Sequence, residues 1–398
     1  MSEVLSTVPV PFPPSPSGPP ARRRRRRFVA LAAALLAIVG GGGLVTTASP
    51  AMAATSWVEI TAGEFHTCGI QSDLSLWCWG DNDYGRLGVG DTLARVSPAL
   101  VSSADWKSVT LGGFHTCALK TDGTRFCWGY NNYGQLGIND TNARTAPRTW
   151  IGESKWLSLS AGRFHTCGVA TNHGLYCWGD NNEGQLGVGD YADRMLPTQV
   201  GSQFNWSSVS AGYSHTCGLK TDGTRYCWGH NVDGELGLGD YNFRNSPIRL
   251  IDEFKWSSVV TRSRHTCGIR TDSSLYCWGS GSTYALGLGD NEDRNVPTRV
   301  GTSTGWSSVT PGSSFTCGVR AGTRYCWGNN GHGQLGFNDT TTRKTPAAAA
   351  DSGWQRLSAG FWHICGIHDR SVYCWGYNDS AQLGLGDYVN RLKPTQLP

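Results

Sequence analysis

The chain has 398 residues, and its 53 Gly, 17 Trp and 14 Cys against only 3 Met describe a turn-rich, all-β protein and exclude helical layers. Its net charge of +4 is located unevenly: six of the 34 Lys+Arg and one of the 30 Asp+Glu fall within residues 1–53, so the remainder carries a net −1. A phosphate backbone needs a surplus of Lys and Arg on one face, so no nucleic-acid partner is expected.

Residues 1–53 read as a leader. A Pro/Ser-rich start precedes Arg22 to Arg27, an apolar run from Phe28 to Val45 and the small-residue site Ala51-Met52-Ala53, which are the three regions of a signal peptide. Cleavage after Ala53 is expected, leaving 54–398 as the folded domain of a secreted or cell-surface protein. An uncleaved anchor is the alternative, because the apolar run is nearly long enough to span a bilayer; a membrane contact is expected only in that case. A nuclear-type basic patch is a third reading of the arginine run. The segment Arg25-Arg26-Arg27-Phe28-Val29 also resembles a loose twin-arginine signal, so the export route stays open.

From Trp57 onward the chain repeats with a period of about 50. Leading tryptophans stand at Trp57, Trp106, Trp156, Trp206, Trp256, Trp306 and Trp354, and a Cys-Trp-Gly triplet follows each, at Trp79, Trp128, Trp178, Trp228, Trp278, Trp327 and Trp375. The fourth copy predicts four short strands: Trp206 to Ala211, His215 to Lys220, Arg225 to Trp228 and Pro247 to Leu250. A lone four-stranded meander cannot bury both faces, whereas radial stacking of seven covers them. The expected fold is therefore an all-β, seven-bladed β-propeller of four-stranded blades.

The fourth copy carries Ala211-Gly212 before His215-Thr216-Cys217, then Trp228-Gly229 and Gly234-Glu235-Leu236-Gly237-Leu238-Gly239-Asp240. These residues resemble the repeat of the regulator of chromosome condensation family. The resemblance extends over residues 57–398 and implies a seven-bladed propeller; it does not by itself imply a function. A kelch propeller has a similar period, but its glycine doublet occurs in these repeats only at Gly112-Gly113.

All 14 cysteines occupy two positions of the repeat. Pairing within each copy treats every copy alike: Cys68 with Cys78, Cys117 with Cys127, Cys167 with Cys177, Cys217 with Cys227, Cys267 with Cys277, Cys317 with Cys326, and Cys365 with Cys374. In the second copy a Thr121-Asp122-Gly123 turn puts Lys120 opposite Thr124, which sets Cys117 across from Cys127. The sixth copy shortens the turn to Ala321-Gly322 and the cysteine spacing by one, which keeps Cys317 opposite Cys326. Each pair should lie at a non-hydrogen-bonded site, where strands approach most closely. One disulfide per blade implies an oxidising compartment.

The recurring His-Thr-Cys motif raises zinc as an alternative, but one histidine per blade (His66, His115, His165, His215, His265 and His363, with Phe315 in the sixth) is spread around a ring, while zinc needs about four converging ligands. These histidines are expected to be satisfied by their own blade's backbone, and no metal or cofactor is expected. Asp-x-x-x-Arg recurs in all seven copies, as in Asp240 and Arg244, and is expected to pin the loop before the outer strand. Catalysis concentrates unlike groups at one place; no nucleophile elbow, phosphate loop or ligand cluster stands out, so an enzyme is not expected.

The loops joining strands one to two and three to four emerge on one face of the disc, and they differ most between copies. Their aromatics fall mainly in copies seven, one, two and three, and a closed ring makes copy seven the neighbour of copy one. A continuous aromatic arc is expected from Phe361, Trp362, Tyr377, Phe65, Tyr84, Phe114, Tyr130, Tyr133 and Phe164, as a binding surface; packing of the residue before each histidine into its own blade is the alternative. The expected function is an exported, non-catalytic propeller that binds a protein or cell-envelope ligand. A sharper version is an inhibitor of an extracellular enzyme, because the repeat is similar to that of secreted β-lactamase-inhibiting propellers. The alternative is the family's guanine-nucleotide exchange on a small GTPase, and its ultraviolet-photoreceptor motif is absent, with only Trp362-His363 nearby.

Overall fold

The computed structural model describes residues 55–398 apart from 104, 151–153 and 251–253. The expected leader and its cleavage site lie outside the described residues. The domain is a ring of seven four-stranded antiparallel sheets, each with its strands in sequence order. Blade 4 comprises an inner strand Trp206–Ala211, a second strand His215–Lys220, a third strand Arg225–Gly229 and an outer strand Arg244–Arg249.

The outer strand starts three residues before the predicted Pro247. Gly229 sits at φ +100°, where an added Cβ would meet the Ser214 carbonyl oxygen at 2.6 Å. This glycine lets the third strand bulge, so that the register runs from Cys227↔Ile248 to Gly229↔Arg244. Pro247 falls inside the bulge on an edge strand, where its missing N–H costs no ladder bond.

Every disulfide is within one blade. Cys68 is bonded to Cys78, Cys117 to Cys127, Cys167 to Cys177, Cys217 to Cys227, Cys267 to Cys277, Cys317 to Cys326 and Cys365 to Cys374, each pair with Cα atoms 4.1 Å apart. The two cysteines of a blade are register partners on its second and third strands, as expected for a non-hydrogen-bonded pair. Lys120 N–H bonds to Thr124 O at 2.9 Å, and in blade 6 Arg320 pairs with Thr323 across the shorter turn. No cysteine is free.

The apolar core lies between blades. Cys167, Val169, Leu175, Cys177, Leu186 and Val200 of blade 3 pack against Trp206 and Trp228 of blade 4, and the other seams repeat the pattern. Each triplet tryptophan donates its indole N–H across the seam, as Trp228 Nε1 does to Gln185 O at 2.9 Å. Blade 1 meets blade 7 in the same way, with Trp79 Nε1 bonded to Gln382 O at 3.0 Å and Ile60 packed on Ile367 and Val372. The ring therefore closes through an ordinary seam, with no strand exchanged between first and last blades.

The histidines do not bond their own blade. His215 Nε2 lies 2.9 Å from Thr266 Oγ1 of the next blade, and that hydroxyl donates to Glu235 O at 2.9 Å. With its proton committed to the carbonyl, the hydroxyl accepts from the imidazole, which fixes Nε2–H as the donor. His66, His115, His165, His265 and His363 bond Thr116, Thr166, Thr216, Thr316 and Thr67 at 2.8–2.9 Å. The own-blade expectation fails because each imidazole is buried in a seam, where the neighbouring hydroxyl is the partner within reach.

A second set of seam bonds lines the axial channel. The Thr110, Ser160, Ser210, Thr310 and Ser358 hydroxyls accept from the backbone N–H of Ala161, Ala211, Thr261, Ala359 and Ala62, one blade further on, at 2.9–3.1 Å. Blade 5 has Val260 at the hydroxyl position, and blade 6 has Pro311, which lacks an N–H, at the donor position. All seven Asp-Arg pairs form, with N···O distances of 2.5–2.8 Å, and Asp240 Oδ1 also holds Asn242 N–H at 2.9 Å, so the motif pins its own loop.

Candidate binding face around the channel mouth

The nine predicted aromatics lie on loops of blades 7, 1, 2 and 3, and their ring contacts form two clusters. At the seam of blades 7 and 1, Phe361 contacts Trp362 (4.7 Å between ring centroids) and Phe65 (6.2 Å), while Trp362 contacts Tyr377 (5.4 Å). His332 of blade 6 extends this cluster, 4.7 Å from Tyr377. In blades 1 to 3, Tyr84 meets Tyr130 edge-on at 4.8 Å, Phe114 stacks on Phe164 at 5.3 Å, and Tyr133 lies 5.3 Å from Phe164. The expected arc is therefore not continuous: no ring pair joins the two clusters among the described residues. Tyr84 is 48% exposed; the other eight are half-buried.

Charged side chains pack against the rings of blades 1 to 3. Glu64 of blade 1 is buried, and its carboxylate reaches Arg163 Nε of blade 3 at 3.5 Å. Gly113 of the intervening blade makes this possible: an added Cβ there would meet Arg163 Cγ at 2.9 Å and Glu64 Cδ at 3.0 Å. The Arg163 guanidinium lies over the Tyr213, Phe164 and Phe114 rings at 4.0, 5.0 and 5.6 Å, a cation–π shelf. Arg86 lies over the other side of the group, 4.9 Å from Phe114, and pairs with Asp81 at 3.3 Å. From blade 5, Arg262 spans the channel mouth and donates to Ala62 O of blade 1 at 2.6 Å.

Burial pushes the Glu64 carboxyl up, against the pull of Arg163, Arg262 and Arg86. Burial likewise lowers Arg163 and Arg262, and Glu64 opposes it in both. The seam histidines are pushed down by burial, His115, His165, His265 and His363 to about 3 and His215 to about 4. They are neutral at physiological pH, and Arg262 at the channel mouth adds to the lowering of His66 and His363. No group of three or more His, Cys, Asp and Glu side chains suited to a metal ion occurs among the described residues.

Arg262 and the Glu64–Arg163 pair are not among the residues expected from the sequence. The signal was available: six copies follow the inner strand with Gly63, Gly112, Gly162, Gly212, Gly312 or Gly360, and only the fifth puts Arg262 there. That blade's inner strand is one residue longer, Trp256–Arg262.

The regulator of chromosome condensation (RCC1) repeat matches residues 75–119, 122–169, 172–219, 272–319 and 369–398, and a second profile of the same repeat matches 57–86, 106–135, 156–185 and 206–235. The chain belongs to the RCC1-repeat family. Among solved structures, human WBSCR16 is 21% identical with a TM-score of 0.74, covering 81% of this chain and 94% of that one. Prp20p of Saccharomyces cerevisiae, described with its binding properties to Gsp1p and histones, is 20% identical with a TM-score of 0.72, covering 86% and 87%. The CRINKLY WD40 ectodomain of the Arabidopsis thaliana receptor kinase ACR4 is 21% identical with a TM-score of 0.51, covering 86% and 99%. At these identities the likeness is one of fold. No curated protein sequence matches the chain. As an RCC1-repeat propeller it has a protein-binding fold. Its seven disulfides are those of an oxidising, extracellular setting, and no described helix is long and apolar enough to cross a membrane.

Proposed function

We propose that this RCC1-repeat chain is an exported, non-catalytic binding module that engages a protein or cell-envelope ligand through the loop face of blades 7, 1, 2 and 3. The observation that carries the reading is the asymmetry of that face. A nearly sevenfold scaffold concentrates nine aromatic side chains in four adjacent blades, with Tyr84 at 48% exposure and the rest half in solvent. Aromatics held by mutual ring contacts are rigid anchors, which lose little conformational entropy on binding. Residues 1–53 act in this reading as a signal peptide removed after Ala53, and inhibition of an extracellular enzyme is one form the binding takes.

The test is capture of a partner from the extracellular milieu by the chain and by the combined variant Phe114→Ala, Tyr133→Ala, Trp362→Ala. Loss of capture by more than about tenfold with the fold retained supports the face; undiminished capture contradicts it. Nucleotide exchange on a small GTPase by the purified chain would favour the exchange-factor reading instead.

A further inference from the structure

At the channel mouth two guanidiniums, Arg163 and Arg262, face a single carboxylate, Glu64. Arg86 is offset by Asp81 at 3.3 Å and by the nearby Asp83 carboxylate. Arg163 and Arg262 share Glu64, so one guanidinium charge is left over in a partly desolvated site, where unpaired charge is costly. The Arg163 guanidinium has the Glu64 carboxylate at 3.5 Å as its ion-pair partner, and its Nε has no hydrogen-bond partner among the described residues. Arg262 spends one nitrogen on Ala62 O. Both guanidiniums are pre-positioned, one by the shelf of Tyr213, Phe164 and Phe114 and the other by its reach across the axis. Neither is repeated in any other blade, so the ring symmetry does not account for them.

We infer that Arg163 and Arg262 form a carboxylate-accepting subsite at the mouth of the channel, and that its occupant is an aspartate or glutamate side chain of the protein partner. This inference rests on the binding-face reading above and names the chemistry at its centre. A guanidinium offers a planar fork that matches a carboxylate with two parallel hydrogen bonds, and one added negative charge balances the one left over. The depression, lined by Glu64, Gly113, Arg163, Tyr213, Arg262 and Phe361 among others, leaves only about 20 Å³ of open space. That suits a water or the tip of a side chain entering from the loop face and is too small for a nucleotide or a sugar. Phe361 of one aromatic cluster lines the depression and Phe114 and Phe164 of the other lie under Arg163, which puts a charged centre beside apolar anchors.

The probe is an acetylated, amidated hexaglutamate peptide, titrated calorimetrically into the purified chain, with hexaglutamine and inorganic phosphate as controls. Hexaglutamate is expected to bind and hexaglutamine not to; Arg163→Gln and Arg262→Gln each weaken hexaglutamate about tenfold or more, and Arg163→Lys, which keeps the charge but loses the fork, falls between. Glu64→Gln strengthens it by removing the competing carboxylate. Absence of hexaglutamate binding, binding unchanged in both glutamine variants, or phosphate binding as tightly at the same residues would overturn the inference, the last indicating a free-anion site. Melting curves report folding, and if Arg163→Gln does not fold, Arg163→Lys and Arg262→Gln decide. The two readings fail separately: partner capture lost in Tyr84→Ala and Trp362→Ala but retained in both glutamine variants sinks the carboxylate subsite alone. Capture lost only in the arginine variants sinks the aromatic face alone.

Discussion

Phe315 of blade 6 and Ile364 of blade 7 lie in one buried apolar cluster, at the seam position where the six other seams place a histidine against the next blade's threonine. Phe315 has lost the donor and Ile364 the acceptor, so neither is left unsatisfied. Replacing both partners of a buried hydrogen bond by apolar groups is nearly neutral, whereas replacing one is not.

Phe315→His alone is therefore expected to cost about 1–3 kcal/mol, because its Nε2–H would meet the Ile364 side chain. Ile364→Thr alone costs less, since the new hydroxyl sits at the position from which the other threonines donate to a carbonyl of the preceding blade. The double variant should recover most of the loss, with a coupling of about 1 kcal/mol or more in a double-mutant cycle by denaturant unfolding. Simple additivity would refute the pairing.

The axial seam gives a parallel case. Val260→Thr restores a hydroxyl opposite Pro311, which has no N–H to donate, so no stabilisation is expected from it alone. Val260→Thr combined with Pro311→Ala rebuilds the bond made by Thr310 and Ala359 and should be about 1 kcal/mol more stable than the sum of the two single effects.

The buried histidines make stability depend on pH. Five of them have pKa values near 3–4 in the fold and His66 is also held well down, against about 6.5 in the unfolded chain. Above about pH 6.5 neither state binds the proton and stability is full. As the pH falls, the unfolded chain takes up protons that the fold refuses. Stability then drops by about 1.4 kcal/mol per pH unit for each histidine until the folded values near 3–4 are reached. His230 opposes this trend: burial acts to lower it, but its bond to Glu235 at 2.8 Å and that carboxylate's charge raise it overall. One raised histidine against six lowered ones leaves the sign unchanged. Tm measured from about pH 8 to 4 should fall from about 6.5 downward; a flat profile between about pH 7 and 5 would contradict the neutral seam.

Removing one disulfide, as in Cys217→Ala with Cys227→Ala, should cost about 2–3 kcal/mol through the freedom regained by the unfolded chain, read as a shift in the denaturant midpoint. A Cα separation of 4.1 Å leaves room for two alanines without separating the strands, so the blade itself should persist.

The propeller and its disulfides were legible in the sequence because both are local and repeated. Cys317 and Cys326 sit one residue closer than Cys68 and Cys78 or Cys267 and Cys277, and the Ala321-Gly322 turn is one residue shorter, so spacing and turn report the same register. Cys365 and Cys374 repeat the shorter spacing in the last blade. The seam bonds were not legible, because His215 and Thr266 belong to adjacent blades, and which blade's atoms reach an imidazole depends on how sheets pack. Phe315 was visible as an exception, but its meaning depends on Ile364 in the next copy. Arg262 escaped notice because it replaces a glycine that otherwise reads as a turn residue, and only the closed ring puts Ala62 O within its reach. The aromatics could be assigned to blades from the repeat alone, but not their ring contacts or the meeting of Glu64 and Arg163 over Gly113, which depend on how three blades pack.

The most direct test of the central claim, a ring of sheets each locked across its second and third strands outside the cytosol, is mass spectrometry of non-reduced peptides from the exported chain. An N-terminus at Ala54, seven links that each join the two cysteines of one blade, and no free thiol are expected. Free thiols in the native exported product, or links between different blades, would contradict it.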